Sequence, residues 1–399
     1  MLIYLILLGG LFLTALLDLL HPFNKKVANK IFWWWVFVFI LFKGLRWDTG
    51  TDWAQFYACF EDSTWSNIFS YWRYGKGTEL MEPGYVFLNV LGRTLLFHYT
   101  FFLLVTNAFI LIIYAKLIRK YIPKYYLVVL AVLIVSVDFF PVRQSLAIAI
   151  FCYSIKYVLN RDFKRFLFLC IICFTIHRSS LVVLAVFPLI YFQYSLKRTI
   201  LIYLLVGVSS MLLYQAFDFL HNVALINALT GGIMDNYDAA GHYENVGQFE
   251  EIDTARRALT YVSSIVQLIV FSYPYYKYTH LYTYEREVYG FFLNLYSFWL
   301  CLNIIGYNPG FMMIYRIANI FSFAYPMVVG FSIFLYKLHG VKIVAFALFV
   351  TTFIIKLNTQ IFMQPDNEHY SLFVPYKSFI DQGDYPRSGV WPYKQSPVN

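Results

Sequence analysis

The chain has 399 residues, 60% of them hydrophobic and 13% charged, with a mean hydropathy of +0.59. Soluble domains carry about 25% charged residues, so an ordinary soluble fold is excluded, and the 21% aromatic share excludes disorder. The net charge of +9 does not point to nucleic acid, because basic residues in a membrane chain collect in short cytoplasmic loops and set its orientation.

A spanning helix needs about 20 apolar residues. Residues 1–20 meet that length without a basic start or a small-residue cleavage site, which predicts a retained helix rather than a signal peptide. Lys25, Lys26 and Lys30 then predict a cytoplasmic loop. Residues 31–45 return outward, with Trp33, Trp34 and Trp35 suited to anchor at the interface.

Residues 46–98 form the first external loop. It opens with Arg46-Trp47-Asp48-Thr49-Gly50-Thr51-Asp52, three charges in seven residues. Pro83 after Glu82 marks a helix start. The apolar run 85–97 is too short to span and predicts an interfacial or re-entrant helix.

Further spans follow at 99–117, 125–140 and 142–159, separated by Pro141 on one side and Lys116, Arg119, Lys120 and Lys124 on the other. A basic loop with Arg161, Lys164 and Arg165 leads to a short pair, 166–176 and 181–194, that turns at His177-Arg178-Ser179. Residues 199–220 exit, and 221–257 form the second external loop. Spans at 258–276, 288–305, 311–336 and 343–355 complete the series, and the proline-rich tail 361–399 is expected to be external and irregular. The five cysteines make no disulfide framework; Cys170 and Cys173 read as small packing residues inside a helix. The expectation is an all-α polytopic bundle of about twelve spans. It forms a single integral membrane domain, 1–399, with both ends outside and short interfacial helices in its external loops.

Some arginines defy the positive-inside pattern. Arg46, Arg143, Arg178, Arg256, Arg257 and Arg316 all map to the external half, together with Asp48, Asp52, Glu82 and His177. Ionisable groups at membrane depth are costly and face a bundle interior or a wet cavity, so one topology gathers acids, a histidine and arginines on one side. Arg46, Asp48 and Asp52 read either as a structural ion pair or as sugar-binding and proton-accepting groups. Capping of a short helix by Thr51 would put Asp52 in the first turn, where the macrodipole lowers its basicity. Burial of the helix after Glu82 would raise the basicity of that carboxylate.

Arg143 stands just inside a helix start with Gln144, an arrangement suited to an anion. A snorkelling arginine is the plainer alternative. Arg316 lies in an apolar run with Asn319 three residues on, and as a buried arginine it would need a counter-charge. His177 reads as a hydrogen-bonded helix end or as a base. Trp47, Trp53, Tyr57, Trp65, Tyr71, Trp72, Tyr74 and Tyr85 suit either an interfacial belt or sugar stacking. No metal-ligand spacing, nucleophile elbow or phosphate-binding glycine loop is present in the sequence.

The chain resembles the EpsG family, the Wzy-like polymerases of bacterial exopolysaccharide, capsule and O-antigen. The matching pieces are Arg46 with Gly50-Thr51-Asp52 and Tyr57; Glu82-Pro83-Gly84-Tyr85; and Val142-Arg143-Gln144-Ser145-Leu146-Ala147. Phe174 with His177 and Ser179-Ser180-Leu181, then Tyr315-Arg316-Ile317 and Pro375-Tyr376-Lys377, follow in the family's order. The loop 221–257 finds no match.

The resemblance implies a multi-pass protein of the bacterial cytoplasmic (inner) membrane, with its active site facing the periplasm or exterior. Its donor and acceptor would be oligosaccharides linked to undecaprenyl pyrophosphate. A growing glycan would move from its lipid carrier onto the non-reducing end of a fresh unit. No cofactor, metal or nucleic acid is implied; a flippase and a chain-length regulator are possible partners. On this reading Asp52, Glu82 or His177 takes the acceptor proton, and Arg46, Arg143 and Arg316 hold pyrophosphate. Asp48, Trp47, Tyr57, Gln144 and Tyr315 are candidate sugar contacts. A lipid-linked oligosaccharide transporter would instead need charges along a path to both faces, and a membrane acyltransferase using His177 would depend on an acyl donor.

Overall fold

The computed structural model describes residues 2–50, 53–73, 79–136, 140, 142–221, 254–277, 283–306, 312–336, 340, 342, 346 and 375–381. They are helical almost throughout and fall into two compact units, one built from residues 1–187 and 325–399 and the other from 188–324.

The first unit begins with α1 (Leu2–Leu20) and α2 (Lys25–Gly44), both long and apolar enough to cross a membrane. The Asn24 side chain accepts from the Val27 N–H and caps α2. Lys25, Lys26 and Lys30, expected in a loop, therefore belong to the first turns of this helix. α3 (Trp53–Asp62) leads to a small antiparallel ribbon, β1 (Trp72–Arg73) with β2 (Glu79–Leu80), and then to α4 (Pro83–Leu96). The start of α4 is the one the sequence predicts: Glu82 is the N-cap and Pro83 the first helical residue.

Next come α5 (Tyr99–Tyr121), α6 (Tyr126–Ser136), α7 (Arg143–Leu159) and α8 (Phe163–Ile176). α2 packs on α5, α5 on α7, and α7 on α8. A side chain at Gly44 would come within 2.6 Å of the Leu104 Cα, so glycine is what lets α2 and α5 approach.

The run expected to span at 181–194 is a 3-10 helix over Arg178–Tyr191. Its 14 residues, at about 2.0 Å rise each, reach about 28 Å, close to the ~30 Å of a hydrocarbon core. It stands among the shorter apolar helices and not among those long and apolar enough to cross a membrane.

The second unit holds α9 (Leu196–His221), α10 (Thr254–Lys277), α11 (Thr283–Gly306) and α12 (Met312–Ala318), followed by a 3-10 turn at Asn319–Phe321. α11 packs on α9 and α10. On α11 the Tyr296 hydroxyl donates to Gln267 Oε1 of α10 at 2.7 Å, and Asn294 Nδ2 donates to the Phe192 carbonyl at 2.7 Å. α13 (Ala324–Leu335) follows the turn, so the expected continuous span 311–336 is broken after residue 318.

Among the described residues four helices are long and apolar enough to cross a membrane: α1, α2, α5 and α11. A fifth is added if 314–321 and 324–335 count as one bent span. The protein is thus an integral membrane helix bundle. The expected exit at 343–355, apart from residue 346, and most of the loop 221–257 lie outside the described residues.

Candidate active site

Glu82 is where three sequence-distant stretches meet. The ribbon delivers it: the Met81 N–H donates to the Tyr71 carbonyl at 2.9 Å, extending the pairing of Trp72 with Leu80. An N-cap carboxylate commonly accepts from its own helix. The Glu82 side chain does not; its backbone carbonyl accepts from Tyr85 and Val86, leaving both carboxylate oxygens for other partners.

Those partners come from the start of α7 and the end of α8. The Arg143 guanidinium donates from Nη1 to Glu82 Oε2 in a buried ion pair. The Arg178 backbone N–H donates to Glu82 Oε1 at 3.0 Å, and His177 Nδ1 lies 3.8 Å from the same oxygen. Two glycine and helix-end features bring them together. A side chain at Gly84 would meet Thr175 Oγ1 at 2.5 Å and its carbonyl at 2.7 Å, so only glycine lets α4 begin against the end of α8. His177 is the C-cap of α8, extended at φ −154° and ψ 109°, which turns its side chain out of the helix line.

The electrostatics follow from this geometry. Burial pushes the Glu82 carboxyl up, but the Arg143 guanidinium, the Arg178 N–H and His177 together outweigh it and hold the group below its ordinary value of 4.5. Burial therefore does not raise its basicity as the sequence suggested, because the cationic partners were not visible there. Arg143 lies at a helix N-terminus, where the macrodipole disfavours a cation; Glu82 supplies the compensating charge. Arg143 Nη1 also lies 3.1 Å from Met81 Sδ, and its Cζ stands 5.8 Å from the Phe56 ring. Its Nε is buried and has no hydrogen-bond partner among the described residues. A charged N–H left unpaired in this way is costly.

α3 links this cluster to a second one. Phe56 packs edge-on against Tyr85 at 5.4 Å, while Trp53 and Tyr57 turn toward Trp47, at 4.7 and 5.6 Å. Trp47 also lies 6.0 Å from His98, and Trp53 lies 5.5 Å from Tyr99. Trp47, Trp53 and Tyr85 are buried, so these rings pack against one another; Tyr57 is half-buried, and Trp65 and Trp72 are exposed.

Arg46 and Asp48 are buried at the exit from α2, with the Arg46 guanidinium 4.6 Å from the Phe140 ring centroid. Asp48 has a left-handed φ of 40°, and Gly50 has φ 103° with Phe140 Cβ at 3.2 Å from where a side chain would begin. The stretch is a tight turn against Phe140. Its sequel, Thr51 and Asp52, lies outside the described residues.

Glu82, Arg143 and His177 are therefore brought together, and Arg46, Trp47, Asp48 and Tyr57 form a neighbouring layer through α3. Gln144 is half-buried on α7. Arg316 corrects the expectation of a buried arginine: it is exposed on α12, because the buried positions of this stretch are taken by Ala318, Ile320 and Phe321 instead. Tyr315, half-buried, packs against Gly306 at the end of α11. Sequence reasoning missed Met81, Thr175 and the Arg178 backbone N–H, which act through position and main chain. Gly84 following Pro83 was the one available signal. Among the described residues no three His, Cys, Asp or Glu side chains form a metal-holding group.

No curated protein and no solved structure matches the chain. A model of the EpsG family matches residues 30–378, most of the chain. Because that match covers most of its length, the chain belongs to the EpsG family, a family of Wzy-like polymerases.

Proposed function

We propose that this protein is a polysaccharide polymerase, a membrane glycosyltransferase that joins oligosaccharide repeat units carried on undecaprenyl pyrophosphate. It works at the external face of the bacterial cytoplasmic membrane. The donor glycan passes to the non-reducing end of an acceptor unit, and undecaprenyl pyrophosphate leaves. Family membership supports the reaction class. The observation that carries the site is the buried Arg143 guanidinium, which pairs with Glu82 through Nη1 and keeps an unpartnered Nε for an anion.

The roles follow from the geometry. Glu82, held ionised by its cationic neighbours, is a weak base. The carboxylate stands 3.8 Å from His177 Nδ1, close enough to favour a proton on that nitrogen electrostatically, which leaves Nε2 to accept one. The acceptor O–H gives its proton to His177 Nε2 as its oxygen attacks the anomeric carbon. The bond from that carbon to the phosphate oxygen breaks, and the electron pair leaves with the pyrophosphate. Arg143 stabilises the charge that develops there, through a planar edge that can meet phosphate with two N–H groups. Arg46 is a further candidate contact to the pyrophosphate, and Asp48, Tyr57 and Gln144 to sugar hydroxyls. A flippase and a chain-length regulator would act beside it.

Binding of a lipid-pyrophosphate-linked glycan to purified Arg143 variants tests this assignment. Arg143→Ala should lose at least a hundredfold in turnover, on the order of 3 kcal/mol, and should bind the donor weakly. Arg143→Lys should recover little, because a point charge does not reproduce the fork. Unchanged donor binding and turnover in Arg143→Ala would remove it from the site.

A further inference from the structure

The tail expected to be irregular is ordered where the structure describes it, at residues 375–381, and it is bound to the Arg46 turn. Arg46 and Ser378 form an antiparallel bridge, framed by hydrogen bonds from the Trp47 N–H to the Lys377 carbonyl and from the Phe379 N–H to the Leu45 carbonyl, each 2.9 Å. The Lys377 N–H donates to Thr49 Oγ1 at 3.3 Å, and the Thr49 hydroxyl donates to the Trp47 carbonyl at 2.8 Å. On the tail side, the Ser378 N–H and hydroxyl both donate to Asp381 Oδ2 at 2.9 Å, closing a short 3-10 turn at Phe379–Asp381.

Tyr376 anchors this strap. A helix leaves its last carbonyls without intrahelical partners. The Tyr376 hydroxyl donates to one of them, the Phe42 carbonyl in the last turn of α2, at 2.7 Å. Its ring stacks on the Phe42 ring at 4.7 Å and 20°, and meets Tyr4 of α1 edge-on at 6.3 Å. A tyrosine more than 330 positions away in sequence thus completes the end of α2. The turn that presents Arg46, Trp47 and Asp48 starts from that end, and the tail main chain bonds the Leu45 carbonyl, the Trp47 N–H and the Thr49 hydroxyl.

We propose that Tyr376 is a positioning residue for the Arg46 turn, and that the tail strand fixes the turn for binding of the lipid-linked pyrophosphate. The second half rests on the polymerase reading. Lys377 takes part through its carbonyl and N–H, so its side chain is dispensable, whereas Tyr376 contributes a hydroxyl and a ring. Tyr376→Phe keeps the ring and removes one hydrogen bond; Thr49→Val keeps the shape and removes the acceptor for the Lys377 N–H.

The test uses the full-length protein in lipid nanodiscs, with hydrogen–deuterium exchange over residues 45–50 read beside polymerase kinetics on a lipid-pyrophosphate-linked repeat unit. Tyr376→Phe and Thr49→Val should each speed exchange of this segment by about five- to tenfold and leave α5 and α7 unchanged. They should raise KM for the donor severalfold at unchanged kcat, and Lys377→Ala should match the parent in both readings. Unchanged exchange in both variants overturns the strap. Faster exchange with KM unmoved overturns the positioning role while leaving the strap. Absence of turnover in the parent would count against the polymerase reading, and the exchange result would still decide the strap.

Discussion

The Arg143 guanidinium and the Glu82 carboxylate form a buried ion pair between the first residue of α7 and the N-cap of α4. Removing one partner of such a pair strands the other charge, at a cost of about 3–5 kcal/mol, whereas removing both costs much less. Glu82→Gln and Arg143→Met should each lower thermal stability in detergent, and the double variant should recover most of the loss. Additive losses in the double variant would show that the two charges do not depend on each other.

The same pair gives a pH dependence with a defined sign. The Glu82 carboxyl is held below its ordinary value of 4.5 in the folded protein. Its contribution to stability is therefore present above that value and is lost as pH falls through the lower, folded value. A stability profile from pH 7 down to 3 should drop in its acid limb, and Glu82→Gln should flatten part of that drop. Identical acid limbs in the two proteins would contradict the linkage.

Gly84 should tolerate no side chain. A methyl group there meets both the Thr175 side chain and its carbonyl, and overpacking of this kind costs about 1–3 kcal/mol. Gly84→Ala should be less stable and should separate Glu82 from Arg178 and His177. Thr175→Ala should not rescue it, because the carbonyl remains. Full stability and activity of Gly84→Ala would mean that α4 and α8 are less closely apposed than the structure shows.

These relationships also mark what could be read from the sequence. Apolar runs of spanning length announced α1, α5 and α11, and a shorter run at 31–45 announced α2 without its basic first turns; Pro83 after Glu82 announced the start of α4, since these signals are local. The 3-10 helix at Arg178–Tyr191 and the break after Ala318 were not legible, because local hydropathy does not encode rise per residue or a neighbour's shape. Glu82, Arg143 and His177 were singled out as charges placed against the membrane's cost. Their mutual contact, and hence the direction of the Glu82 shift, depends on pairings 61 and 95–96 residues apart. The tail strap is the extreme case: its bonds are mostly main-chain, and prolines concealed it.

The division of labour between Glu82 and His177 separates in kinetics. If His177 takes the acceptor proton, His177→Gln should lower kcat by about 10²–10⁴-fold with little change in donor KM. Glu82→Gln should keep part of the turnover and shift its pH dependence, because it acts through the imidazole. Asp52→Asn serves as the comparison and should retain polymer. Loss of turnover in Asp52→Asn, with His177→Gln active, would move the proton acceptor to Asp52.

The most direct measurement is reconstitution of the purified protein in liposomes with one undecaprenyl-pyrophosphate-linked repeat unit and no nucleotide sugar. The account predicts a ladder of lipid-linked products, each longer by one repeat, with undecaprenyl pyrophosphate released in step and no ladder from Arg143→Ala. Transfer of the unit across the bilayer without elongation, or a ladder of equal yield from Arg143→Ala, would contradict it.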